Sequence, residues 1–192
     1  MARSGNVYVT LGASNHALSE RQSEDLYCTH PRAVEELLRL ETFSTKIWEP
    51  CDGLGHISDA LTAHGYDVRR SDLYTRGRDI EQLDFLTDDE VWDGDIITNP
   101  PYAFAQEFLE KAMSIIPEGH KVAMFLKLTF LEGKRRAAMF KKYHPRRVWV
   151  SHSRLTCAIN GDFVNMGGSA TVYAWFVREK GFHGAPEIHW FN

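Results

Sequence analysis

Residues Lys121–Leu128 read KVAMFLKL, an almost unbroken apolar run in place of the alternation of a half-exposed strand. Such a strand needs cover on both faces, which puts it in the middle of a parallel sheet sandwiched by helices. The rest of the chain follows the same plan. Pro31 with Ala33, Val34, Leu37, Leu38 and Leu40 has helical spacing, and Thr29 just before the proline suits a helix start, so a helix is expected over 31–41. Ile47–Glu49 is a short strand that breaks at Pro50 into Cys51-Asp52-Gly53-Leu54-Gly55, after which Ile57, Ala60 and Leu61 resume helical spacing. Tyr66–Ser71 and Asp95–Thr98 read as strands, and Ala105–Ile116 as a helix stopped by Pro117 and Gly119. A basic helix over 133–143, a strand at 148–150 and a last clear strand at 170–179 complete the pattern. Alternation of this kind predicts an α/β fold with a mostly parallel sheet and helices on both faces. The last two strands are joined by a Gly- and Asn-rich connection without helical spacing (residues 153–169), which predicts an antiparallel pair at one edge.

A chain of 192 residues with 43% hydrophobic content can bury one sizeable core and is cramped for two. The polar start predicts an N-terminal arm over 1–23 and a single domain over 24–192. No apolar run reaches the roughly 18 to 20 residues of a membrane span, and the N-terminus lacks the apolar stretch of a signal peptide, so a cytoplasmic, membrane-free protein is expected. Cys28, Cys51 and Cys157 are odd in number and far apart, which favours inert thiols over disulfides or zinc. The histidines show no ligand spacing, so no metal is expected.

The formal charge of −4 hides a strong polarity. Residues 1–120 hold 10 Lys and Arg against 22 Asp and Glu, whereas residues 121–154 hold 10 against the single Glu132, a local charge of +9. Lys134, Arg135, Arg136, Lys141, Lys142, Arg146, Arg147 and Arg154 either form a footprint for phosphates or are a solvated helix face.

Two turns carry chemistry. Glycines at the C-terminal end of a strand let the backbone approach a nucleoside cofactor, and an acidic residue after the next strand, here Asp72, can accept from both ribose hydroxyls. Only Gly53 and Gly55 are present, and Ser58 stands where G-x-G-x-x-G has its third glycine, which argues against a pyrophosphate cofactor. The second turn, Asn99-Pro100-Pro101-Tyr102, follows Asp95–Thr98 directly. Consecutive prolines offer carbonyl acceptors without N–H donors, Asn adds an acceptor and Tyr an aromatic face. That set suits a planar amino group. Acceptors that hold both N–H bonds favour the pyramidal nitrogen able to attack a methyl group.

In order and spacing, E-P-C-D-G-L-G, Asp72, Asp84-Phe85-Leu86 and N-P-P-Y resemble motifs I to IV of the S-adenosylmethionine-dependent amino-methyltransferases, specifically DNA adenine N6-methyltransferases. Asp25-Leu26-Tyr27-Cys28-Thr29-His30-Pro31 is similar to the D-x-Y-x-T-P element of the phage-type enzymes, with His30 inserted. The resemblance spans about residues 24–180. It implies a class I methyltransferase (Rossmann-like) sheet of seven strands, S-adenosylmethionine as cofactor and adenine-specific methylation of DNA with little sequence specificity and with base flipping. RNA guanine and protein glutamine methyltransferases share N-P-P-Y, so transfer to RNA or to a glutamine amide is the first alternative, and a non-catalytic nucleic-acid-binding protein is the second. Tyr27 and Thr29 are implied at the methionine end of the cofactor, and Glu49, Asp52, Gly53 and Gly55 around the methionine and ribose. Asp72 is implied on the ribose hydroxyls, and Asp84 and Phe85 on the adenine. Asn99, Pro100, Pro101 and Tyr102 would hold the target base.

No separate target-recognition domain is expected. Contacts to DNA are therefore expected from the basic segment (Arg135, Arg136, Lys141, Lys142) and from the loop 151–169, through His152, Arg154, Asn160 and Asn165.

Overall fold

The computed structural model describes residues 27–153, 155, 157–159 and 171–191. In chain order the elements are β1 (Tyr27–Thr29), α1 (Pro31–Leu40), β2 (Lys46–Glu49), α2 (His56–Ala63), β3 (Asp67–Asp72), β4 (Glu81–Gln82) and β5 (Asp95–Thr98). There follow α3 (Ala105–Ile115), β6 (Lys121–Lys127), α4 (Ala137–Lys142), β7 (Arg147–Ser151), β8 (Cys157–Ile159), β9 (Tyr173–Glu179) and β10 (Glu187–Phe191). Eight strands make one sheet in the order β10-β7-β9-β6-β5-β2-β3-β4, and β1 pairs with β8 in a separate antiparallel ribbon.

The apolar run of β6 lies inside this sheet as expected. Val122, Met124 and Leu126 join the core on one face, with Phe108 and Leu109 of α3 and Met139 of α4. Ala123 and Phe125 join the opposite core, with Val34 and Leu37 of α1 and Ile57 and Leu61 of α2. β9 runs antiparallel to both β6 and β7, which is the expected reversal toward one end of the sheet. The six strands read from the sequence are present, and the two-residue β4 and β10 bring the sheet to eight against the seven that the resemblance implies. β10 lies parallel to β7 and outside it, with Ile188 and Trp190 exposed. No helix among the described residues is long and apolar enough to cross a membrane.

Three local expectations need correction. His30, not Thr29, caps α1: its Nδ1 accepts from the Arg32 N–H at 3.2 Å, while Thr29 ends β1. The connection 153–169 contains β8, whose pairing with β1 is too short to leave a period in the sequence. The basic helix shrinks to Ala137–Lys142 behind a 3-10 turn at Lys134–Arg136. Three successive cations at a helix N-terminus oppose its dipole, and no acidic residue in the first turn offsets them.

Candidate active site

The C-terminal ends of β2, β3 and β5 converge on one edge of the sheet, and the glycine turn is shaped there. Gly53 (φ 56°) and Gly55 (φ 85°) take left-handed conformations, and Gly55 caps α2. Asp72 anchors the turn from the next strand. One carboxylate oxygen accepts from the Gly53 N–H at 2.9 Å, the other from the Tyr74 N–H at 2.9 Å and from Arg76 at 3.3 Å. Asp52 is buried and faces the protein, accepting from the Ser58 hydroxyl and from Arg78 Nε at 2.7 Å. It therefore shapes the turn from behind.

Arg78 had no signal in the sequence. It also donates to the Leu54 carbonyl at 3.0 Å and to Asp59, and a Cβ on Gly55 would collide with its guanidinium.

Glu49 closes the floor of the turn with no exposed surface. Its Oε1 accepts from the Thr98 hydroxyl at 2.6 Å and from the Cys51 N–H at 2.9 Å, whereas Oε2 is buried with no hydrogen-bond partner. Burial, with the nearby carboxylates of Asp52 and Asp72, pushes its pKa well above the usual carboxylate value. Thr29 is also buried, and its Oγ1 is likewise without a partner.

The ribbon β1–β8 ties Thr29 to the second turn. Thr29 is opposite Cys157 in the register, and the Cys157 sulfur lies 3.5 Å from Asn99 Nδ2 and 3.3 Å from the Tyr102 hydroxyl. Burial pushes the Cys157 thiol up to about 12, so it is a neutral neighbour of Asn99 and Tyr102. The sequence treats it as an inert cysteine and offers no hint of this place. Tyr102 also faces Tyr173, with ring centroids 6.1 Å apart. Of the two proline carbonyls, that of Pro101 accepts from the Phe104 N–H at 2.9 Å and starts a 3-10 turn. That bond uses one of the two acceptor positions of the Pro101 carbonyl.

The other expected residues separate into groups. Asp84 is exposed and caps a turn, with one oxygen accepting from the Leu86 N–H at 3.0 Å. Phe85 is 2% exposed, edge-on to Trp48 at 5.1 Å and stacked on Phe108 at 5.2 Å. Its ring is committed to the core, which corrects the expectation that it stacks on a base. Leu73, half exposed directly after Asp72, offers apolar surface there, and no pattern in the sequence marks it.

Arg136 lines a small cleft with Tyr102 and Lys127, and Arg135 is exposed beside it. Lys141 instead lines an apolar crevice with Phe140, His144, Val148 and Ile188, and Lys142 lies against Tyr143. Lys141 and Lys142 end α4 whereas Arg136 precedes its start, and of the expected four only Arg136 lines the cleft beside Tyr102. Arg147 pairs with the buried Glu41 at 2.8 Å and Arg146 pairs with Glu179, both toward the N-terminal end of β7. His152 is exposed just past β7, its N–H donating to the Phe191 carbonyl at 3.0 Å. Tyr27 is described through its backbone in β1, and Arg154, Asn160 and Asn165 lie outside the described residues.

No family model and no curated protein matches the sequence. Solved structures do match the fold. A Pyrococcus horikoshii protein assigned as an RNA methyltransferase superposes with a TM-score of 0.58 over 94% of this chain and 98% of its own, at 14% identity. A Listeria monocytogenes protein assigned as a class I S-adenosylmethionine-dependent methyltransferase gives 0.55 over 77% of this chain and 58% of its own, at 14% identity. TrmN from Thermus thermophilus gives 0.51 over 78% and 48%, at 20% identity. The chain thus spans about half the length of the latter two. The architecture is the class I methyltransferase, Rossmann-like fold.

Proposed function

We propose that this chain transfers the methyl group of S-adenosylmethionine to the exocyclic N6 amine of adenine in DNA, with little sequence specificity, from a single catalytic domain. The observation that carries the reading is a pair of buried, unpartnered polar atoms: Glu49 Oε2, on the side chain bonded to Thr98 just before the Asn99-Pro100-Pro101-Tyr102 turn, and Thr29 Oγ1, on the ribbon whose Cys157 contacts Asn99 and Tyr102. An acceptor and a hydroxyl donor match the ammonium and carboxylate of a methionine moiety, and buried polar groups are rarely left without such partners. Asp72 then accepts from the ribose hydroxyls, while Gly53 and Gly55 keep the turn close and Arg78 braces it through Asp52.

When bound, S-adenosylmethionine supplies an activated methyl group. Asn99 Oδ1 and the Pro100 carbonyl accept the two amine hydrogens and draw the lone pair out of conjugation with the ring, and Tyr102 bounds the base. The substrate polymer is read from the cations beside Tyr102 and from the resemblance to adenine methyltransferases. Since a similar structure is assigned to RNA methylation, RNA is the competing polymer. The test is tritium transfer from labelled S-adenosylmethionine to DNA, RNA and protein side by side. Label in DNA is expected. Label confined to RNA or protein overturns the substrate, and bound cofactor with no label anywhere overturns the activity.

A further inference from the structure

Beside Tyr102 the end of β6 and the following turns enclose a cleft of about 100 Å³, lined by Tyr102, Leu126, Lys127, Thr129, Phe130 and Arg136. That is well below the roughly 300–1,000 Å³ of sites that hold a whole small molecule, so the cleft fits a single chemical group. Its two cations rest on aromatic faces. Lys127 Nζ is 4.7 Å from the Tyr102 ring centroid, and the Arg136 guanidinium is 4.9 Å from that of Phe130. Arg136 Nη2 donates to the carbonyls of Thr129 and Glu132, which fixes the guanidinium plane, while its Nε is buried and makes no hydrogen bond. A buried charged donor without an acceptor is costly, and an anion in the cleft that came within reach of Nε would remove that cost.

We propose that Lys127 and Arg136 form a phosphate site for the backbone phosphate of the nucleotide whose base is held at Asn99–Tyr102. This inference rests on the nucleic-acid reading above and adds to it a specific contact. A phosphate fits the size of the cleft and its two positive charges, and an arginine edge with an unused N–H is the geometry that recognises phosphate oxygens. Lys127 lies on the ring that bounds the target base, so the same side chain couples base placement to the backbone. Phosphate contacts of this kind set register without reading sequence, in keeping with low specificity.

The test uses oligonucleotides with one adenine in the methylated strand, in which the phosphate on either side of that adenine is replaced singly by neutral methylphosphonate. Binding and single-turnover methylation are measured for wild type, Lys127→Gln and Arg136→Gln, with inorganic phosphate as competitor and thermal melting as a control for folding. One of the two replacements is expected to weaken wild-type binding about 10-fold or more. Each variant should lose about as much on unmodified DNA and then be indifferent to that replacement. Wild type insensitive to both replacements, or variants as sensitive as wild type, overturns the phosphate site while normal methylation leaves the functional reading standing. Competition by inorganic phosphate with no methylphosphonate effect assigns the cleft to free phosphate and overturns the backbone contact. If no oligonucleotide binds or is methylated, both readings fall.

Discussion

Glu49→Gln separates the binding role of Glu49 from its cost to the fold. The amide keeps the volume and can still accept from the Thr98 hydroxyl and the Cys51 N–H, but it puts a neutral NH2 where Oε2 is buried without a partner. One charge-assisted hydrogen bond to the cofactor ammonium is then lost, about 1.5–3 kcal/mol, or roughly a 10- to 150-fold rise in Kd for S-adenosylmethionine. Stability should move the other way. Burial raises the Glu49 pKa in the folded state, so above the ordinary carboxylate value the native protein binds more protons than the unfolded chain. The Glu49 contribution therefore falls as pH rises from that value through the raised one. The glutamine variant has no such loss. Calorimetric titration at neutral pH and melting curves across about pH 4–8 measure both effects. The expected result is weaker cofactor binding together with a variant-minus-wild-type Tm difference that grows with pH. Unchanged affinity, or a difference that shrinks with pH, refutes the reasoning.

Asp72→Ala should weaken cofactor binding at least about 10-fold by calorimetry, because it removes the ribose acceptor and frees the Gly53 N–H it anchors; unchanged affinity would reduce Asp72 to a strand-end residue. Phe85→Ala should lower stability in denaturant by about 3–5 kcal/mol, with cofactor affinity of the folded fraction retained. A loss of affinity without a loss of stability would restore the stacking role. Neutralising Arg135 and Arg136 together should flatten the salt dependence of DNA binding by roughly 0.9 in slope for each phosphate they cease to neutralise, and neutralising Lys141 and Lys142 should leave it unchanged. The opposite pattern would move the groove to the α4 face.

Local features were readable from the residues alone. The unbroken run of β6, the glycine turn after β2 and the Asn99–Tyr102 turn after β5 each follow from local composition, and together they mark the sheet edge proposed as the active site. What escaped the sequence depends on contacts between distant positions. Arg78 braces Asp52 from 26 positions away, and Cys157 reaches Asn99 from 58 positions away through a three-residue ribbon. Phe85 follows an acidic residue as a base-stacking ring would, yet its position between Trp48 and Phe108 commits it to the core. The basic segment misled for a related reason. Charge along the chain does not tell which end of a helix faces the site: Arg136 ends the 3-10 turn and lines the cleft beside Tyr102, whereas Lys141, near the far end of α4, lines the apolar crevice.

Nucleoside mass spectrometry of DNA incubated with S-adenosylmethionine and either wild type or Asn99→Ala tests the central claim most directly, with cofactor affinity measured in parallel. The account predicts N6-methyladenine with wild type, a drop of about 100-fold or more with the variant, and nearly unchanged cofactor binding in both. It is contradicted if wild type leaves adenine unmodified while another base, RNA or protein takes the methyl group, or if Asn99→Ala methylates adenine at the wild-type rate.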